Sequence, residues 1–201
     1  MALQLVVLCG LIGSGKSTFA HAVEDAAPHE WVRCNQDELK RRRMVYDRAM
    51  EALSHGKNVL IDRTNIDRRQ RADWLELAHD FRNAHPDGPM LEVSLLLFAT
   101  PLEEAHRRLA QRHDHPTIKD PEQALRLLAM FQRSFVMPDP DEPEGFHRML
   151  VLDTPLPLPD DVQFGQAHGE AGVQWGKGVG KGVGVGKGVG KGKGKGVGMG
   201  V

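Results

Sequence analysis

Cysteine is almost missing from this chain: 201 residues carry two, Cys9 and Cys34. Each closes an apolar run that reads as a buried strand, so both are expected as reduced core thiols. Without a disulfide framework the chain is expected in a reducing compartment, intracellular and either cytoplasmic or nuclear. Ten histidines are present, yet none shares metal-ligand spacing with a cysteine. Aromatic residues are sparse at 5%, although 40% hydrophobic residues are enough for a core. No apolar run approaches the ~20 residues of a membrane span, so no membrane partner is expected. The apolar stretch from Met1 to Ile12 lacks a basic n-region and reads as strand rather than signal peptide.

An overall charge bias is missing too. The net charge of −1 divides into −7 over residues 1–170 and +6 from six lysines beyond them. The globular part is therefore mildly acidic, and a polyanionic substrate must be met by a local basic patch. Residues 161–201 differ in character from residues 1–160. Sixteen of the 22 glycines lie from Gly165 onward, and residues 176–200 alternate glycine with Lys, Val or Met. Such a segment buries too little surface to offset its chain entropy and is expected as a disordered tail. Its lysines would attract phosphates without specificity.

What is present is a nine-residue stretch, Gly10-Leu11-Ile12-Gly13-Ser14-Gly15-Lys16-Ser17-Thr18. It follows the strand-like run Leu3 to Cys9 and precedes helix-like Phe19 to Glu24. Strand, glycine-rich loop and helix are the context that the G-x-x-x-x-G-K-[ST] phosphate-binding pattern requires. Gly10, Gly13, Ser14 and Gly15 let successive N–H groups point at phosphate oxygens. The helix start, with Thr18 in its first turn, adds further N–H groups. Lys16 is placed for the β- and γ-phosphates of ATP and Ser17 for Mg²⁺.

The rest alternates strand and helix. Strands are expected at 3–9, 31–34, 59–62, 91–98 and 147–152. Helices are expected from the phosphate loop to Ala26, from Asn35 to Ser54, from Arg68 to His79, from Pro101 to His113, and from Pro121 to Phe135. Asp67 is a cap for the third helix, and Pro138, Pro140 and Pro143 force an irregular crossing. This order implies an α/β, P-loop NTPase/kinase fold: a five-stranded parallel sheet with helices on both faces. The ligand edge of such a sheet is the carboxyl end of its strands.

Several polar residues fall at that edge. Asp37 follows the second strand and is the candidate general base for an incoming hydroxyl. Its other role would be a helix cap, for which Asn35 competes. Asp62 ends the third strand; it would hold Mg²⁺ through water, position Ser17, or bond buried backbone amides. Thr64 and Asn65 are polar and stand where phosphate or substrate hydroxyls arrive. Arg107, Arg108 and Arg112 lie on the helix after strand four, and Arg108 and Arg112 share a face. Arginines there suit a lid over the triphosphate, because their forks match phosphate oxygens; a solvated face is the other reading. Lys40-Arg41-Arg42-Arg43 and Arg63, Arg68, Arg69, Arg71 are basic patches that suit a nucleic-acid backbone.

Taken together, Gly10 to Thr18, Asn35-Gln36-Asp37, Asn58 to Asn65 with Arg68 to Arg71, Leu97 to Thr100, and Glu144-Gly145-Phe146 resemble the kinase domain of the 5′-hydroxyl polynucleotide kinases. They also resemble the kinase-like module that plants join to aprataxin-like domains. The resemblance covers residues 3–153 within a kinase domain at 1–160. It implies ATP- and Mg²⁺-dependent phosphorylation of a nucleic-acid 5′ end. On it, Asp37 is the general base, Lys16 and Ser17 contact ATP and Mg²⁺, and Arg112 is the lid arginine. Asp62, Thr64, Asn65 and Arg68 fall on the substrate side. Gln36 and Arg63 depart from the family, which often has arginine at the first position and Asn or Thr at the second. No phosphatase domain accompanies these residues, so 3′-end processing is not expected. Two other readings of the scaffold stay open: a small-molecule kinase and a non-catalytic ATP-binding module.

Overall fold

The apolar run Leu3–Cys9 forms β1, the middle strand of a five-stranded sheet. A computed structural model describes residues 2–111, 120–139, 141–142 and 144–153. After β1 come α1 (Lys16–Ala26), β2 (Trp31–Asn35), α2 (Gln36–Leu39), α3 (Arg42–Ser54) and β3 (Asn58–Asp62). Then follow α4 (Arg68–Ala84), β4 (Leu91–Phe98), α5 (Leu102–Gln111), α6 (Pro121–Ser134) and β5 (Arg148–Leu152). The strand order is β2-β3-β1-β4-β5, with every pairing parallel. Strands separated by helices can only pair in parallel through crossovers, so the alternation in the sequence produces this sheet.

The two-residue period of β1 sends alternate side chains to opposite faces. Leu5, Val7 and Cys9 pack with Val45 and Ala49 of α3 and with Trp74, Leu77 and Phe81 of α4. Leu8 packs on the other face with Ala20, Phe19 and Val23 of α1. Helices therefore cover both faces, as the alternation implied. The α5–α6 pair meets through Ala105, Leu109, Ala124 and Leu128, and Leu11 and Ile12 lean against it. This places the loop after β1 between the sheet edge and α5. Strand order also reverses at β1, between β3 and β4, and open parallel sheets bind their ligands at such a switch point.

Two helices depart from the expected pattern. The helix expected from Asn35 to Ser54 is broken: α2 makes one turn and α3 starts afresh. Lys40 takes a left-handed φ of 66° and Arg41 is extended, which ends the first turn. Side-chain periodicity does not reveal that kink, because Lys and Arg are good helix formers. The third helix runs past His79 to Ala84 because Ala78 and Phe81 continue its buried stripe. Its start is as expected, with Asp67 accepting a hydrogen bond from the Gln70 N–H at 2.7 Å.

Cys9 and Cys34 are free, buried thiols. Burial pushes them up to about 11 and about 12, which keeps them protonated and unreactive. Among the described residues no helix is long and apolar enough to cross a membrane. The described residues fall within one compact unit, Met1–Gln163. The tail expected at 161–201, together with Pro140 and Pro143, lies outside the described residues.

Candidate active site

The phosphate loop is shaped by contacts that leave no space for side chains. Gly13 has φ +78°, and a Cβ there would stand 2.7 Å from the carbonyl oxygen of Ala105 on α5. A Cβ on Gly10 would stand 2.9 Å from the Phe98 carbonyl. Gly15, at φ 97°, is the N-cap of α1. Neighbouring strand exits hold the loop from both sides. The Gly10 N–H donates to the Thr64 carbonyl at 3.0 Å. The Thr100 hydroxyl donates to the Ser14 carbonyl at 3.0 Å. This loop leads directly into the 11-residue helix α1, whose first N–H groups have no partner within the helix. Thr18 is exposed on its first turn.

Lys16 is buried at the start of α1. Its ammonium folds back over the loop, donating to the Leu11 carbonyl at 2.7 Å and to Ser14 Oγ at 3.1 Å. Burial lowers its pKa from 10.5 to about 8, with Asp62 pulling the other way. A buried ammonium facing neutral acceptors is a place where an arriving anion gains most, because little solvent screens it.

Beside it, Ser17 Oγ donates to Asp62 Oδ1 at 3.1 Å. The other carboxylate oxygen accepts from Arg33 Nε at 2.8 Å and from Asn35 Nδ2 at 2.8 Å. Asn35 and Asp62 are register partners across β2 and β3, which explains their contact. Arg33 also reaches Glu38 at 2.6 Å and so ties Asp62 to the turn α2. Of the roles open to Asp62, the geometry fits the positioning of Ser17. Its carboxylate, almost fully buried, accepts from the side chains of Ser17, Arg33 and Asn35. With its proton committed to Asp62, the Ser17 hydroxyl keeps lone pairs for a cation. Among the described residues no three His, Cys, Asp or Glu side chains gather around a metal position. A hydroxyl with a carboxylate behind it fits a hard cation that keeps its waters and takes substrate phosphates.

Asp37 is exposed on α2, two positions beyond the end of β2. The cap of that turn is Asn35, whose side chain accepts from the Glu38 N–H at 3.1 Å. Asp37 is therefore not the cap. Only β3 separates β2 from β1, so the two strands that lead to Asp37 and to the phosphate loop run about 10 Å apart.

Other residues singled out in the sequence have different surroundings. Asn65 is fully buried at φ 46°. Its Nδ2 donates to the Leu8 carbonyl at 2.7 Å, and its Oδ1 accepts from Trp74 Nε1 at 2.8 Å. Those bonds commit its amide to the core, so it shapes the edge instead of facing substrate. Thr64 is half-buried and braces the loop through its carbonyl. Arg68 is exposed and pairs with Glu142 at 3.0 Å and Glu144 at 3.4 Å. Arg71 is buried, bonded to Glu144 by two hydrogen bonds of 2.8 Å, and belongs to the core rather than to a basic patch. Arg108 is buried on α5, one turn beyond Ala105, and donates to Glu104 at 2.6 Å. Arg107 joins it, and the two arginines hold the Glu104 carboxyl at about 2. Arg112 lies outside the described residues. Arg33 and Thr100 carry site contacts that motif reading did not assign. The signal for Arg33 is a charged side chain inside a short strand, one register step from the edge.

Residues 5–135 match the family model described as an AAA domain. Over 151 residues, 73% of the chain, there is 28% identity to 15% of a protein named transcription factor bHLH140 from Arabidopsis thaliana. Over 139 residues, 69% of the chain, there is 30% identity to 31% of a putative bifunctional polynucleotide phosphatase/kinase from Acanthamoeba polyphaga mimivirus. The chain thus spans less than a third of the length of the curated relatives it matches. Among solved structures, the crystal structure of a fungal RNA kinase shares the fold, with a TM-score of 0.66 and 20% identity over 76% of each chain.

Proposed function

The chain belongs to the AAA domain family, whose model its residues 5–135 match, and from that premise we propose that it is an ATP-dependent kinase acting on the 5′-hydroxyl of DNA or RNA. One observation carries the reading. The buried Lys16 ammonium and the Ser17–Asp62 pair lie at the carboxyl ends of β1 and β3, and Asp37 follows the end of the adjoining β2.

The residues divide the work as phosphoryl transfer requires, by positioning and charge neutralisation. Backbone N–H groups of the loop and of α1 cradle the phosphates. Lys16 exchanges the Leu11 carbonyl for β- and γ-phosphate oxygens. Mg²⁺ at the Ser17 hydroxyl would offset negative charge on those same oxygens. Asp62, held by Arg33 and Asn35, keeps Ser17 in place. Asp37 takes the proton from the acceptor hydroxyl as its oxygen bonds to the γ-phosphorus. The bond from that phosphorus to the bridging oxygen breaks, and ADP leaves. Arg108, buried on α5, the helix that packs against Gly13 of the loop, would supply a cation toward the triphosphate.

Two features support a nucleic-acid acceptor. A relative that matches 69% of this chain is named a polynucleotide phosphatase/kinase. The side of the edge that carries Asp37 also carries Lys40, Arg41, Arg42, Arg63, Arg68 and Arg69. A second reading, a small-molecule kinase, draws on the net −7 over residues 1–170. Labelled ATP offered with 5′-hydroxyl oligonucleotides and with a panel of sugars and nucleosides separates them. Label on the oligonucleotide supports the first reading, and label on a small alcohol alone supports the second. Label on neither, with ATP still bound, leaves a nucleotide-binding module.

A further inference from the structure

Buried polar side-chain atoms in folded proteins nearly always have a hydrogen-bond partner. Among the described residues two lack one: Gln36 Oε1 and Arg63 Nη1. Their positions are related. Asn35 and Asp62 are register partners on β2 and β3, and Gln36 and Arg63 are the residues that follow them. The two unpartnered atoms thus stand at neighbouring strand exits, and Asp37 comes next after Gln36. One atom is an acceptor and the other a donor.

Arg63 is held rather than loose. Its guanidinium carbon lies 5.7 Å from the centre of the Trp74 ring. Burial and the charge of Arg42 push its pKa below the usual arginine value, against weaker pulls from Asp73, Asp37 and Asp67. Asp73 is already paired with Arg42, and Asp67 is committed to capping α4. Leaving a buried donor of this kind without an acceptor is costly. Both atoms are closed to solvent in the free chain, so a ligand meets them only as the two side chains turn outward, and the cost is sustained where that ligand supplies the partners.

The missing partners define the ligand. A phosphodiester brings oxygens and negative charge that match a guanidinium fork. It has no proton to give, so it cannot satisfy Gln36 Oε1. A ribose 2′-hydroxyl can, and it is the group by which a protein distinguishes RNA from DNA. It sits on the sugar carbon next to the one that bears the 3′ phosphate. A single nucleotide therefore carries both groups side by side, with its 5′-hydroxyl directed at Asp37.

We propose that Arg63 and Gln36 read the first nucleotide of the acceptor, Arg63 holding the phosphate on its 3′ side and Gln36 accepting a hydrogen bond from its ribose 2′-hydroxyl. The inference rests on the polynucleotide reading above and narrows it to RNA ends. Binding tests it without relying on catalysis. Short 5′-hydroxyl oligoribonucleotides and oligodeoxyribonucleotides of one sequence are titrated against the full chain by fluorescence polarisation. The wild type binds the RNA at least tenfold tighter. Gln36→Leu weakens RNA binding alone and erases the difference. Arg63→Gln weakens both ligands at least tenfold, and Arg63→Lys, which keeps charge but loses the fork, falls between. Equal binding of RNA and DNA by the wild type overturns the proposal. So do variants that lower the melting temperature while leaving both dissociation constants in place, since Gln36 and Arg63 would then serve only each other. Failure of the kinase reading looks different: RNA bound with the expected pattern but no label transferred to it from ATP.

Discussion

Ser17 and Asp62 lie 45 positions apart in the chain and are joined by a 3.1 Å hydrogen bond from the serine hydroxyl to the carboxylate. That bond links the phosphate loop to the exit of β3. The remaining oxygen of Asp62 is bound by Arg33 and Asn35 at 2.8 Å each, so its orientation is set by β2. Three elements thus fix one hydroxyl, the one proposed above to hold the metal of a bound triphosphate.

Asp62→Asn replaces an acceptor of three hydrogen bonds with an amide that accepts at one end only. The buried Arg33 keeps Glu38 as its partner. The substitution is expected to weaken metal-dependent nucleotide binding by about 10–100-fold, as loss of a group behind a metal ligand does. Titration of ATP with and without Mg²⁺ checks this, and the effect belongs to the Mg²⁺ series.

Lys16 gives nucleotide binding a pH dependence of defined sign. In the free chain its pKa is lowered to about 8 by burial, and an arriving triphosphate raises it again. Below pH 8 the proton is already in place. Above pH 8, binding takes up a proton, so affinity falls as pH climbs, by up to about tenfold per unit. Calorimetry of metal-free ATP at about pH 9, in buffers of differing ionisation enthalpy, reads the uptake directly. The unliganded fold responds in the opposite direction. Unfolded lysine binds more protons than the buried one between about 8 and 10.5, so stability rises with pH through that window.

Gly13→Ala tests the fit of the loop against α5. The new Cβ would stand 2.7 Å from the Ala105 carbonyl at a φ of +78°. Backbone must move, at a cost of about 1–3 kcal/mol. The variant is expected to melt lower and to bind ATP at least tenfold more weakly. Gly56→Ala is the control, because its φ is also positive but no atom lies within 4 Å of the added Cβ. It is expected to lose stability without losing ATP affinity.

Much of this was legible because it is local. A strand, a glycine loop and a helix are neighbours in sequence, and the spacing of Gly10, Gly13, Gly15, Lys16 and Ser17 states the cradle outright. The alternation of strands and helices implied a parallel sheet, and hence a ligand edge. What escaped depends on pairing between distant segments. Arg33 looked like any charged residue in a short strand until register brought it to Asp62. Asn65 looked like a substrate contact because it follows Asp62-Arg63-Thr64 at the edge, but its backbone turns left-handed and carries the amide into the core beside Trp74. The break at Lys40 was hidden by four helix-favouring basic residues, whose propensity ran against the turn that the fold requires.

Asp37, the general base of the proposed reaction, stands two positions past β2, with β3 between that strand and β1. Transfer of labelled γ-phosphate from ATP to a 5′-hydroxyl oligonucleotide, compared between wild type and Asp37→Asn, addresses that role most directly. Label on the 5′ end with the wild type, a fall in turnover of about 10²-fold or more in the variant, and an unchanged ATP dissociation constant are expected. Equal turnover by the two proteins, or no label on any 5′ end from the wild type, would contradict it.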